Sequence, residues 1–213
     1  ALYNYTEGYG SYLIPAVMMI IIFQTLLMVI GMVTGEEYSS KGIRAYTPLG
    51  YGWGVAIRIV AGKTSVYCTL YAIFAFFLLG LLPHFFSIPN IGNGLYIVLL
   101  LIPYLMATSF LGLAASRYFT DSEAPLLMIA FFSVGLIFLS GVSYPMELMP
   151  WYWKVHYIFP AAPGTLAFVK LNSMGASMAD IRPEYITLWI QALIYFTISI
   201  WVYKKKLESN LIS

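Results

Sequence analysis

Charge is scarce in this chain. Of its 213 residues only 9% are Asp, Glu, Lys or Arg, while 61% are hydrophobic. A soluble domain carries about 25% charged residues. So few charges cannot clothe a globule of this size in hydrated groups, which excludes an ordinary soluble protein and makes the bilayer the natural solvent. The net charge of +2 gives no argument for nucleic acid as a partner. A single cysteine, Cys68, excludes an internal disulfide framework and a cysteine-based metal cluster, and reads as a small packing residue in a span. The two histidines, His84 and His156, stand apart from any Cys, Asp or second His, so no metal site assembles around them. No Ser/His/Asp set and no paired carboxylates are visible, which argues against catalysis in this chain. The start, "ALYNYTEGYGS", lacks the basic opening of a signal peptide and does not begin with Met. It is expected to follow a missing upstream part.

What is present is a series of long apolar runs. About 20 helical residues cross a hydrocarbon core of about 30 Å. Five runs qualify: span A over Tyr12–Thr34, B over Thr64–Leu82, C over Leu95–Ser116, D over Ala124–Val142 and E over Ile186–Tyr203. They do not alternate apolar and polar residues as barrel strands do, so they are expected to be helices, which satisfy their own backbones in lipid. The fold class is thus an all-α integral membrane protein, with five spans here of six expected in the intact protein, and one domain over residues 1–213.

Basic residues orient the spans. Lys41, Arg44, Arg58, Lys63, Arg117, Lys204, Lys205 and Lys206 fall on one side, and only Lys154, Lys170 and Arg182 on the other. The side with eight is read as cytoplasmic, which puts the C-terminus inside and the N-terminus outside.

Between spans A and B the chain reads "VTGEEYSSKGIRAYTPLGYGWG". Thr34-Gly-Glu-Glu37 fits a capping box that would open a new helix just inside the membrane. Pro48 would stop that helix near Tyr46, and "LGYGWG" would form a flexible turn before Arg58. The alternative is a solvated loop. Thr120-Asp-Ser-Glu123 is a second capping box, ahead of span D. Between spans D and E, "YPMELMPWYWKVHYIFPAAPG" is too interrupted to span and too apolar to be a free loop. It is expected to form one or two short helices in or on the outer leaflet. Glu147 within it either meets a cationic substrate or hydrogen-bonds at the interface.

Inside span A, Gln24, Met28, Gly31 or Met32, and Gly35 share one helical face. Gly31 and Gly35 also form a Gly-x-x-x-Gly pair, which permits close helix approach. The face serves either helix packing or a substrate path; Ser133 and Ser140 in span D are a weaker case of the same kind. The spans hold no buried carboxylates, which disfavours a proton- or sodium-driven carrier. "GKTS" at Gly62–Ser65 is not a phosphate loop, since Ile57 stands where the motif needs glycine. Lys63 reads instead as an interfacial anchor.

The order of these parts resembles the permease subunit of ABC-2 type exporters, over nearly the whole chain. "LYNY" with "YLIPAVMMII" is similar to the stretch leading into that family's second span. "GEEYSSKGIRAYTPLG" resembles its "E-x-x-x-G-T-x-x-x-L-x-x-T-P" segment at Glu37, Gly42, Thr47 and Pro48. Gly62-Lys63 resembles the pair that opens its next span. Ser140, Gly141, Pro145, Met149, Pro150 and Pro160 match its "SG-x-x-x-P-x-x-x-MP" hairpin and the proline segment after it. Ile43, Tyr46, Gly164-Thr165 and Lys170 depart from common family residues.

The resemblance implies an N-terminally truncated permease of a multidrug-efflux-like subgroup, located in the bacterial cytoplasmic (inner) membrane. On that resemblance it is expected to lack its first span and any preceding extracytoplasmic domain. Such a permease pairs with a second permease, in a homodimer or heterodimer, and with a cytoplasmic ABC ATPase dimer that binds ATP and Mg. No cofactor and no catalytic residue is expected on this chain. Glu36, Glu37, Lys41, Gly42, Arg44, Thr47 and Pro48 would form the ATPase-coupling helix. Gln24, Met28, Gly31, Ser133 and Ser140 would line the path, and Pro145, Glu147, Met149, Pro150 and Trp151 would form an outer gate. The function implied is ATP-driven export of an amphiphilic or hydrophobic substrate. The alternatives are a non-transporting assembly subunit and a membrane-embedded lipid-modifying enzyme.

Overall fold

A computed structural model describes residues 9–39, 50, 52–86, 91–119, 123, 125, 129 and 157–209. Four helices among these are long and apolar enough to cross a membrane. Helix α1 spans Tyr9–Ser39. Helix α2 runs through Trp53–Phe85 as one rod of 33 residues. Its regular part, Trp53–Ala75, passes into a π-helical turn at Phe76–Leu81 and closes at Leu82–Phe85. Helix α3 spans Gly94–Ala115 and tightens into a 3-10 turn at Ser116–Tyr118. The short α4 spans Ala161–Met174, and α5 spans Arg182–Ser209. No strand occurs among the described residues.

Spans A, C and E thus correspond to α1, α3 and α5, each helix outrunning its apolar run. Two expectations are corrected. Span B does not begin at Thr64: its helix starts at Trp53, on a non-helical Gly52, so Trp53 and Gly54 belong to the helix and not to a turn before Arg58. Hydropathy stops where the lipid is expected to stop, whereas backbone hydrogen bonding carries a helix past that edge. Nor does Thr34 cap a new helix. It lies inside α1, buried, and its hydroxyl donates back to the carbonyls of Ile30 (2.7 Å) and Gly31 (3.1 Å). A mid-helix threonine satisfied in this way has no need of the cap role. Glu36 and Glu37 therefore end α1 instead of opening a separate helix. Residues 40–49, most of the expected coupling helix, lie outside the described residues, as does nearly all of span D.

Helix α3 is the hub. It packs most extensively against α5 and also touches α1, α2 and α4. It is the most buried of the four long helices, and α2 is the least. Side-chain bonds to backbone oxygens fix the packing at three depths. The hydroxyl of fully buried Tyr104 on α3 donates to the carbonyl of Met19 on α1 at 2.7 Å. Ser199 on α5 donates to the carbonyl of Phe110 at 2.7 Å. Lys206 donates to the carbonyl of Ser116 at 2.9 Å.

Glycines set the closest approaches. Gly164 on α4 lies under the Tyr104 ring, where an added methyl would collide with it. Gly112 on α3 faces Ile30 on α1, whose side-chain atoms stand 3.0–3.2 Å from where a Cβ would be. Lipid gives helices no hydrophobic reason to associate, so such small-residue contacts supply the van der Waals packing that holds them.

Helix α4, 14 residues long and about 21 Å, is too short to cross the core. Residues 144–156 of the expected outer-leaflet hairpin lie outside the described residues, and the helix that follows Pro160 is a short one. It is wedged among α1, α3 and α5, with Ala161–Thr165 fully buried. A fixed turn joins α4 to α5, in which Asp180 accepts from the Ser177 backbone N–H (2.8 Å) and hydroxyl (2.7 Å).

Candidate functional site at the charged end of the bundle

The C-terminal ends of α1, α3 and α5 meet the first turns of α2, and most of the chain's described charge gathers there. Glu37, on the last turn of α1, forms an ion pair with Lys63 of α2. Their side chains are 21% and 12% exposed. Lys63 also donates to the hydroxyl of Tyr203 on α5 at 3.2 Å and stands 5.2 Å from that ring's centre. Lys206, one turn further on, lies 5.4 Å from the same ring and reaches the Ser116 carbonyl and hydroxyl (2.9 and 3.1 Å). A chain of contacts, Glu37–Lys63–Tyr203–Lys206–Ser116, thereby joins α1, α2, α5 and α3.

Aromatic rings complete this end. Lys204 lies 4.3 Å over Trp53 and pairs with Glu208 at 3.3 Å. Lys205 and Arg117 approach the Trp201 ring at 4.0 and 5.8 Å. Cations over aromatic faces, with rings at the edge of the apolar zone, are the usual dress of a headgroup-level surface.

The helical repeat explains the clamp. Lys63 stands ten residues into α2, so about 15 Å of that helix precedes the ion pair. A lysine only 12% exposed, flanked by apolar turns, is stable only if its charge is met. Glu37 and Tyr203 meet it from two other helices. Sequence reading treated Lys63 as an anchor reaching for water; its pairing across 26 residues leaves no local signal.

Of the residues expected to couple to an ATPase, Glu36 is exposed at the end of α1 and Glu37 is in the clamp. Lys41, Gly42, Arg44, Thr47 and Pro48 lie outside the described residues. Gln24 and Met28 are half-buried on α1. Gly31 is buried, with Pro125 and Phe119 against it; a Cβ there would stand 2.5 Å from Pro125 Cβ. Ser133, Ser140, Pro145, Glu147, Met149, Pro150 and Trp151 lie outside the described residues. His84 is exposed at the far end of α2. Among the described residues no three His, Cys, Asp or Glu side chains converge as metal ligands.

Sequence reading missed a second ion pair at the opposite end. Lys170 of α4 donates to Glu184 of α5 at 2.5 Å, and the Glu184 side chain is only 8% exposed.

The profile of a family described as "ABC-2 family transporter protein" matches residues 1–201. The chain belongs to the ABC-2 transporter family. No curated protein and no solved structure matched it. ABC-2 proteins of this kind are membrane components of transporters, not enzymes, and generally pair with an ABC ATPase. As an ABC-2 permease the chain is a multi-pass membrane protein, in keeping with its four long apolar helices. The clamp then has a setting: it ties the two helices that flank the segment 40–52 to the other two long helices.

Proposed function

We propose that the chain is the transmembrane permease subunit of an ATP-driven exporter. It moves an amphiphilic or hydrophobic substrate outward across the bacterial cytoplasmic membrane, working as half of a permease pair, homodimeric or heterodimeric. ATP and Mg sit on two cytoplasmic ATPase subunits, and the elbow around Lys41–Pro48 docks on one of them. The C-terminus lies on the same, cytoplasmic, side.

The observation that carries this reading is the clamp. A push on the elbow moves the end of α1 and the start of α2. Through Lys63 and Tyr203 it reaches α5, and through Lys206 and Ser116 it reaches α3. These polar links add, at the elbow's own end, to the packing that already holds the four long helices together. Apolar walls suit an amphiphile, and a sparsely charged interior suits a device driven from outside itself.

The test is charge reversal on the elbow, away from the clamp. Lys41→Glu with Arg44→Glu is expected to abolish co-purification with the ATPase subunit and to leave the melting temperature of the isolated permease unchanged. Intact association and intact nucleotide-dependent transport in that variant would refute the docking role.

A further inference from the structure

An apolar groove of about 650 Å³ runs between α2 and α3, with Cys68, Ala72, Leu101 and Met106 among its walls. A second, of about 470 Å³, lies between α2, α3 and α5, beside Ser65, Trp189 and Phe196. Both contain Cys68 and Met106, so they form one trough along the outward face of α2. Each of the two grooves is within the range of small-molecule sites, about 300–1,000 Å³, and the walls are almost wholly apolar.

Two polar features are registered with the trough. Thr64 lines it, is 5% exposed, and its hydroxyl has no hydrogen-bond partner. Threonines in membrane helices commonly bond back to their own helix; this one does not. Arg58 lies one turn before Ala61, the first α2 residue of the trough. Arg58, Ala61, Ser65, Cys68 and Ala72 follow one another at three- and four-residue steps, which puts them on one stripe of α2. Arg58 is exposed and has no partner among the described residues. The other cations of this end, Lys63, Arg117, Lys204, Lys205 and Lys206, all meet a carboxylate, a carbonyl or a ring.

We propose that this trough holds an acyl chain of an anionic phospholipid from the surrounding bilayer, its phosphate on Arg58 and an ester carbonyl accepting from Thr64. The parts fall in the order of the lipid itself. The cation stands at the end where the rings and charges mark headgroup depth. The orphan donor stands six residues further in, about 9 Å along the helix. The apolar trough follows. An uncharged tail would need no Arg58, and a second protein helix would not supply an acceptor and an anion in this sequence. The site is independent of whether the chain exports anything.

The experiment uses the purified chain in phosphatidylcholine vesicles doped with a phospholipid bearing a photoreactive group in one acyl chain. The headgroup is phosphatidylglycerol or phosphatidylcholine. Peptides containing Cys68, Met106 and Phe196 are expected to be labelled about fivefold more by the anionic lipid, the worth of one cation near a headgroup surface. Arg58→Glu, an exposed change that spares folding, is expected to erase the difference, and Arg58→Lys to keep it. Thr64→Val is expected to lower labelling by both lipids. Equal labelling of the native chain by the two headgroups, or a preference that survives Arg58→Glu, overturns the proposal. So does oxidative cross-linking of Cys68 between two chains in place of lipid labelling, since a second copy would then occupy the trough.

Discussion

Reversing one charge of the clamp is the most informative perturbation. Lys63→Glu sets two carboxylates against each other where an ion pair stood, beneath the Tyr203 ring. Surface pairs contribute about 0–1 kcal/mol, and breaking a buried one costs about 3–5 kcal/mol. With side chains 12% and 21% exposed, this pair lies between those limits, so the expected loss is about 2–3 kcal/mol. For a chain of this length that lowers the melting temperature by about 4–12 °C. The measurement is thermal unfolding in detergent, followed through a double-mutant cycle. Glu37→Lys alone is expected to cost a similar amount. The swap, Glu37→Lys with Lys63→Glu, is expected to recover at least half, because the Tyr203 hydroxyl can donate to a carboxylate as well as accept from an ammonium. A swap as unstable as the two single changes added together would show that the residues do not act on one another. The mechanical reading of the clamp would then fail.

Three further outcomes are expected. Gly164→Ala drives a methyl into the Tyr104 ring, which cannot swing away without giving up its bond to Met19; overpacking of this kind costs about 1–3 kcal/mol and will show as a lower melting temperature. Lys170→Met strands the Glu184 carboxylate in its buried site and is expected to cost about 3 kcal/mol, largely recovered by adding Glu184→Gln; chemical denaturation of the three variants checks this. Asp180 has its carboxyl held below the usual carboxylate range, first by the Ser177 hydroxyl and then by the Ser177 N–H. A depressed folded value means that the turn is stabilised above the unfolded value, near pH 4. That stabilisation is lost as pH falls through the folded value, so backbone exchange at Ser177 should quicken below about pH 4 beyond its intrinsic rate.

The apolar runs made all four long helices legible, because a span must be both long and greasy and little else in a sequence looks like that. Ends were harder. Trp53–Gly62 holds Arg58, Gly54 and Gly62, which interrupt its apolar run, yet the backbone there continues the bonding of the span it leads into. Thr34 looked like a cap because a capping box is a pattern of residue types. Whether the threonine bonds forward or back depends on a backbone conformation that the pattern does not carry. The Glu37–Lys63 pair was invisible for another reason: its partners come from different helices, and nothing local in either stretch names the other. Glycine spacing on α1 did signal close approach, but Gly164 gave no such sign, since its reason lies in a tyrosine on another helix.

The π-helical turn at Phe76–Leu81 divides α2 into two lengths. Taking in one residue more than an α-turn clocks everything beyond it by about 100° against the part before it. The stripe that begins at Arg58 therefore does not continue straight to Phe85, and the two ends of one rod address different neighbours. The extra residue thus lets one continuous rod present one stripe to its partners near Arg58 and another near Phe85, with no break in the helix.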